Sequence, residues 1–254
     1  MDEHTNLELV AAVDDVLLQT LSLVRDLSEA DAERPTDCPA WTVRDVLAHM
    51  VGLEQVLEGA PQPTIDLPPL DHLRNEFDEY MERQVHIRRQ LPLAAIADEL
   101  AGLRPRRLAT LRSLAEQGDP VVEGPFGEQP LSRSLPIRVF DLWAHEQDIR
   151  RAVDLPVRDD CMAAEISLER ALLGWRRAIP KLFDRPATVT VRVTAPSPSD
   201  TTIEAHGGGP SATLEGDLGV LTWIFCGRGP VPDGVLTGDD EVVAAVQGRL
   251  GLTP

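Results

Sequence analysis

The sequence predicts an α+β protein, with a helical domain over residues 1–184 and a small α+β domain over residues 185–254. Before residue 185, apolar side chains recur every three or four positions, which is the spacing of amphipathic helices. Around Arg185-Pro186 the period changes, and Thr188 to Thr194 alternates β-branched residues in the pattern of a strand. The second domain has only about 70 residues, so we expect docking onto the first to help stabilise it.

Six helices are predicted in the first domain. The first covers residues 6–28, and the second begins after Trp41 at Thr42-Val43-Arg44-Asp45, which is a capping-box signature. Gly59 and the nearby prolines end this second helix. The other four are predicted over residues 71–90, 93–117, 132–153 and 158–179, with the Gly- and Pro-bearing stretch 118–130 as their longest interruption.

The second domain is predicted to mix short strands and helices. Strands are expected over residues 188–194, 201–206 and 211–214, and helices over residues 218–225 and 241–250. The run His206-Gly207-Gly208-Gly209 is similar to an oxyanion-hole motif of esterases, but no G-x-S-x-G nucleophile motif accompanies it. We therefore predict that it is a glycine-rich hairpin turn between two strands.

Composition and charge exclude several classes of function. The chain has 24 Lys and Arg against 42 Asp and Glu, a net charge of −18, which disfavours nucleic acids and anionic membranes as partners. No apolar run approaches the roughly 18 residues of a spanning helix, and the polar, acidic start is unlike a signal peptide. Three scattered cysteines, Cys38, Cys161 and Cys226, predict a reducing, cytoplasmic location. No C-x-x-C, H-E-x-x-H, Walker A or G-x-G-x-x-G motif occurs.

A polar stripe on the helix over 132–153 is the first candidate site. Arg138, Asp141, His145 and Asp148 recur at spacings of three and four, which places them on one helix face. One interpretation is a solvated flank with weak ion pairs. The other is a metal site, to which Asp141 and His145 donate ligand atoms from successive turns.

His49 favours the metal interpretation, although alone it is more typical of a half-buried structural histidine. Together with Asp141 and His145 it would complete a set of two histidines and one carboxylate with open coordination positions. Catalytic zinc sites and non-haem iron oxygenases both use such sets, so the ligand types do not select the metal. Cys38 is interpreted as structural, and His72 as a solvated surface residue.

Three segments resemble a known family. Residues 37–49, DCPAWTVRDVLAH, are similar to the N-terminal signature of the mycothiol-dependent maleylpyruvate isomerase family, a group of actinobacterial proteins. Residues 140–152, FDLWAHEQDIRRA, resemble its second signature. WIFCGR at 223–228 and LTGD at 236–239 are similar to its small, sterol-carrier-like C-terminal domain. The resemblance spans nearly the whole chain.

The resemblance implies a fold and a set of site residues. The first domain would be a DinB-like up-down four-helix bundle with extra helices. The family's divalent metal, usually zinc, would be held by His49, Asp141 and His145. Asp141 departs from the glutamate of the best-known member, so its arm is one methylene shorter. An arginine of the C-terminal domain matters in that enzyme, and Arg228 is its match here, as a catalytic and cofactor-binding residue.

The expected function is that of a metal- and mycothiol-dependent enzyme, in which a metal-bound thiolate attacks a small electrophile. Reversible addition to an activated alkene would give cis–trans isomerisation, whereas irreversible attack would make the enzyme an S-transferase. Arg228 would bind a carboxylate, and Asp148 would hold the imidazole of His145. Two other classes stay open: a non-catalytic metal-binding module or regulator, and an iron-dependent oxygenase. We expect a monomer or homodimer with small-molecule partners and no nucleic acid or membrane.

Overall fold

The computed structural model describes residues 4–125 and 127–253. Contacts divide the chain into two compact units, Met1–Pro156 and Val157–Pro254. The described residues form nine α-helices and two small sheets, which confirms the predicted α+β class. Among them, no helix is both long and apolar enough to cross a membrane.

The first unit is built on a bundle of four long helices, α1, α3, α5 and α6. Helix α1 packs against α5 and α6, and α3 packs against the same two from another side. Short helices α2 and α4 and a hairpin of strands β1 and β2 complete the unit. The elements are α1 Asn6–Arg25, α2 Glu29–Ala32, α3 Val43–Leu57, α4 Glu76–His86, α5 Leu93–Glu116, β1 Val121–Gly124, β2 Gly127–Pro130 and α6 Leu131–Ala152. The hairpin occupies most of the stretch predicted as an interruption.

Helix α3 is the most enclosed element of the bundle. It begins with the predicted capping box: the Asp45 backbone N–H donates to the Thr42 hydroxyl at 3.3 Å, and the Thr42 backbone N–H donates to the Asp45 carboxylate at 3.1 Å. Every residue from 43 to 54 is buried, so both the apolar and the polar sides of this helix lie inside the unit. Buried polar groups need partners, and those on α3 are therefore informative.

The second unit contains a four-stranded sheet in the order β4-β3-β5-β6. Its elements are α7 Met162–Ala178, a 3-10 turn Ile179–Leu182, β3 Ala187–Val193, β4 Ser199–Ala205, β5 Ser211–Gly216, α8 Leu218–Phe225, β6 Leu236–Gly238 and α9 Asp240–Val246. Strand β3 pairs antiparallel with β4 and parallel with β5. The run at 206–209 therefore connects strands on opposite sides of β3, and the prediction of a hairpin turn there is wrong.

Helix α7 packs within the second unit. Its Trp175 indole donates a hydrogen bond to the carbonyl of Leu250 at 2.8 Å and meets the Phe225 ring edge-on at 5.6 Å. Gly174 permits that approach, because a Cβ there would lie 2.5 Å from the same ring. The division into compact units thus falls at Pro156, before this helix, whereas the sequence-based division at residue 184 follows it. Helical periodicity identifies the helix but not the surface on which it packs.

Candidate metal centre

Helices α3 and α6 bring the three predicted ligands together. The Nε2 atom of His49 lies 3.5 Å from Oδ2 of Asp141, and Nε2 of His145 lies 3.9 Å from Oδ1 of the same carboxylate. The two imidazole centroids are 4.7 Å apart. One donor atom from each residue lies within 4.8 Å of the other two. In a tetrahedral site with bonds of about 2.1 Å, ligand atoms lie about 3.4 Å apart, close to these separations.

His49 provides the strongest indication that these residues bind a ligand. Its side chain is 3% exposed, and neither ring nitrogen has a hydrogen-bond partner within residues 4–125 and 127–253. The 3.5 Å contact between Nε2 and Asp141 is an ion-pair contact and not a hydrogen bond. A buried polar group without a partner costs about 1–3 kcal/mol, so such atoms need an explanation. Burial lowers the pKa of His49, against the opposing effect of Asp141, and keeps the imidazole in the neutral form that binds metals.

His145 is oriented from its other side. Its Nδ1 atom lies 3.0 Å from Oδ2 of Asp148, a carboxylate that is itself buried. This contact assigns the proton to Nδ1 and leaves the lone pair on Nε2, the atom that faces Asp141. The predicted contact between Asp148 and the imidazole is confirmed.

Asp141 is the anionic donor of the set. Its side chain is 29% exposed, more than either histidine. Burial alone would raise its pKa, but the Arg138 guanidinium, 2.9 Å away, lowers the pKa far below its ordinary value of 3.8. The carboxylate is therefore charged at neutral pH. Since Arg138, His145 and Asp148 are all buried, the interpretation of this stripe as a solvated flank is wrong.

Arg138 is bound by a buried carboxylate, Glu54, that was not predicted from the sequence. Glu54, on α3, accepts hydrogen bonds from Arg138 on α6 and from Arg107 on α5. Burial opposes its ionisation, but the two guanidinium groups lower its pKa. One feature of the sequence could have identified Glu54: it follows Met50 by four residues and so lies on the apolar stripe of its helix.

Trp41 forms a wall beside the two histidines. Its ring centroid lies 5.0 Å from that of His49 and 5.9 Å from that of His145. The indole N–H donates to Glu82 on α4 at 3.0 Å, which fixes the ring. The sequence showed Trp41 only as the residue before α3, because the partner that orients it comes from another helix.

Glu82 is a fully buried carboxylate with several partners. His72 lies 3.1 Å from its Oε2 atom, and Arg89 lies 2.8 Å from Oε1. The prediction that His72 is a solvated surface residue is therefore wrong. This cluster holds the Trp41 side of the site in place.

Two further residues from the sequence prediction, Cys38 and Arg228, are not among the three predicted ligands. Cys38 is buried, and its sulfur lies within 4.8 Å of donor atoms of His145 and Asp148. Arg228 belongs to the second unit, just after α8, where it is 9% exposed and donates to the carbonyl of Cys226 at 3.3 Å. Its predicted role stays a prediction.

Two histidines and a carboxylate that face one another from adjacent helices are the arrangement of metal-binding helical bundles. The sequence comparison specifies the group further. The chain belongs to the mycothiol maleylpyruvate isomerase N-terminal domain family, whose model matches residues 13–150, more than half of the chain. The match includes the first resembling segment and most of the second, and it confirms the family resemblance.

Solved structures show the same fold. The chain is similar to the crystal structure of the mycothiol-dependent maleylpyruvate isomerase, with 16% identity and a TM-score of 0.61. It is also similar to a histidine-to-alanine mutant of the mycothiol-dependent maleylpyruvate isomerase, with 15% identity and a TM-score of 0.62. Each comparison covers 93% of both chains. No curated protein matches the sequence significantly.

Proposed function

We propose that this protein is a divalent-metal- and mycothiol-dependent enzyme of the maleylpyruvate isomerase type, acting on a small electrophile. The observation that carries the proposal is the buried imidazole of His49, with two unpartnered ring nitrogens beside Asp141 and His145. The family match and the two solved structures support mycothiol as the thiol and isomerisation as the reaction class.

The donor set favours an anionic fourth ligand. Two neutral imidazoles and one carboxylate carry a single negative charge, less than the charge of a divalent cation. A zinc ion held by His49, Asp141 and His145 would keep a coordinated thiol deprotonated at neutral pH, where an ordinary thiol with a pKa near 8.5 is mostly protonated. Asp148 holds the proton on Nδ1 of His145 and so keeps Nε2 available as a donor.

The proposed reaction is addition followed by elimination. Mycothiol would supply a thiolate that adds to one carbon of a conjugated carbon–carbon double bond, with the electron pair taken up by the conjugated carbonyl oxygen. Rotation about the resulting single bond, and return of the electron pair as the thiolate leaves, would restore the double bond in the trans form. Trp41, which lies against both imidazoles, excludes water from that side. We assign Arg228 the role of binding a substrate carboxylate.

The remaining predictions fit this proposal. A small-molecule electrophile and mycothiol are the partners, and a net charge of −18 disfavours nucleic acid and anionic membranes. A reducing cytoplasm suits an enzyme that uses a thiol. We propose a monomer or a homodimer.

The test is turnover of maleylpyruvate, the compound named for the related structures, with and without mycothiol. We expect cis–trans conversion that requires mycothiol, disappears after chelation and returns with zinc. Consumption of mycothiol in step with substrate would assign the protein to the S-transferases. Metal binding without turnover or thiol consumption would indicate the non-catalytic module, and oxygen consumption with bound iron would indicate an oxygenase.

A matched pair of variants tests Arg228. We expect Arg228→Ala to lose mycothiol-dependent turnover and Arg249→Ala, at an exposed position, to retain it. Equal loss in both variants, or no loss in either, would remove Arg228 from the proposed site.

A further inference from the structure

The Asp141 carboxylate is tied to a chain of buried charges that crosses three helices of the bundle. Its Oδ2 atom accepts a hydrogen bond from Nη1 of Arg138, one turn earlier on α6, at 2.9 Å. Arg138 in turn donates from Nε and Nη2 to a single oxygen of Glu54, at 3.0 and 2.7 Å. The other oxygen of Glu54 accepts from Nε of Arg107 at 2.6 Å.

These hydrogen bonds leave the Arg138 side chain little conformational freedom. Two of its three nitrogens are held by Glu54, so the planar guanidinium can present only Nη1 to Asp141. Glu54 is 1% exposed and is held between guanidinium groups from α5 and α6, so it cannot follow a moving partner. The position of Asp141 is therefore set from the interior of the bundle, although Asp141 is the most exposed of the three donors.

We infer that Arg138, anchored by Glu54, is a positioning residue that fixes Asp141 for metal binding. The inference rests on the proposed function, because it takes Asp141 as a metal ligand. Arg138 donates to Oδ2, which also lies 3.5 Å from Nε2 of His49, and Oδ1 faces Nε2 of His145. A carboxylate held in this way would offer its oxygens to a metal from a fixed place, and it would leave other coordination positions open.

The variant Arg138→Lys tests the inference while keeping the positive charge. A lysine presents one ammonium group and cannot hold Glu54 and Asp141 in a fixed fork. We expect a loss of zinc affinity of about 10–100-fold, the range typical of residues that orient metal ligands. We also expect a changed visible spectrum of bound Co²⁺, which reports coordination geometry. The matched control is Arg104→Lys on α5, whose partner is Asp14 on α1.

Glu54→Gln tests whether the effect comes through Arg138. We expect the same spectral change as in Arg138→Lys, and no further loss of affinity in the double variant, because both substitutions release the same group. The control for this variant is Glu58→Gln. Glu58 lies 3.7 Å from Arg107 and, among the described residues, has no contact with Arg138. Independent, additive losses would overturn the part assigned to Glu54.

Affinities are measured by competition with a chromophoric chelator on variants whose urea unfolding shows a folded chain. Arg138→Lys protein with wild-type zinc affinity and an unchanged Co²⁺ spectrum would overturn the inference and leave the proposed function standing. A wild-type protein that binds neither Zn²⁺ nor Co²⁺ would overturn both. If Glu54→Gln does not fold, the zinc affinity and the Co²⁺ spectrum of Arg138→Lys alone test the inference.

Discussion

Two polar clusters on the same helix differ in one respect. Near the start of α3, Arg44 is buried and has three partners: it donates to Glu29 at 2.8 Å, to Glu33 at 2.6 Å and to the carbonyl of Leu91. One turn later, His49 is equally buried, and both of its ring nitrogens lack a partner among the described residues. Burial of a polar side chain therefore does not mark a site. What distinguishes His49 is that both nitrogens of one buried ring lack a partner and that the ring lies beside two further metal-donor side chains, Asp141 and His145.

The largest effect that would sharpen this comparison is expected from Asp141→Asn. It removes the only negative charge of the donor set and the partner of Arg138. We expect zinc affinity to fall by more than about 100-fold, beyond the usual range for residues outside the donor set. The measurement is a competition titration, with Asp98→Asn at an exposed position of α5 as the control. Unchanged affinity would remove Asp141 from the set.

The next effect is stabilisation by metal. At a zinc concentration 100 times Kd, binding adds about 2.7 kcal/mol to the free energy of unfolding. We expect this increase in wild type and not in His49→Leu, as measured by urea unfolding with zinc and with a chelator. Without metal, we expect His49→Leu to be at least as stable as wild type, because the variant buries no unsatisfied nitrogen. A variant that is as strongly stabilised by zinc as wild type would contradict this account of His49.

At the Arg44 cluster we expect the opposite result, a loss of stability without a loss of zinc affinity. Arg44→Met leaves Glu29, Glu33 and the Leu91 carbonyl without their shared donor, and we expect a loss of about 1–3 kcal/mol in the free energy of unfolding. Zinc affinity should stay within about twofold of wild type, because Arg44 makes none of the metal-site contacts. If Arg44→Met lost metal binding and kept its stability, the contrast between the clusters would fail.

The smallest effect is a pH dependence of the metal-free protein. Burial lowers the pKa of His49 below its ordinary value of 6.5. As the pH falls below 6.5, the unfolded chain therefore binds a proton at this residue, whereas the folded protein does not. Stability should therefore fall in this range, and less steeply in His49→Leu. The lowered pKa of Asp141 adds a second loss below pH 3.8. Urea unfolding across the acid range is the measurement, and identical slopes in the two proteins would contradict the effect assigned to His49.

Some of this account was accessible from the sequence because it depends on local spacing. The capping box at Thr42 places the start of α3, and the four-residue interval between Asp141 and His145 places both on one face of α6. Partners from other helices were not accessible, because spacing along one helix carries no information on what packs against it. Glu54 and Glu82, which hold Arg138 and Trp41, were missed for this reason.

The second unit shows the same limit. The strands were recognisable from alternation, but the placement of β4 and β5 on opposite sides of β3 depends on pairing between segments. Whether α7 belongs to the first or the second unit likewise depends on a contact distant in sequence, the hydrogen bond from Trp175 to the carbonyl of Leu250.

The most direct test of the central claim is the metal content of wild-type protein and His145→Ala, purified side by side without a histidine tag and analysed by mass spectrometry. His86→Ala is the control, since His86 belongs to none of the three-residue donor groups among the described residues. The account predicts about one divalent metal per chain in wild type and in the control, and its loss in His145→Ala. No metal in any of the three after zinc is added back, or equal metal in all three, would contradict it.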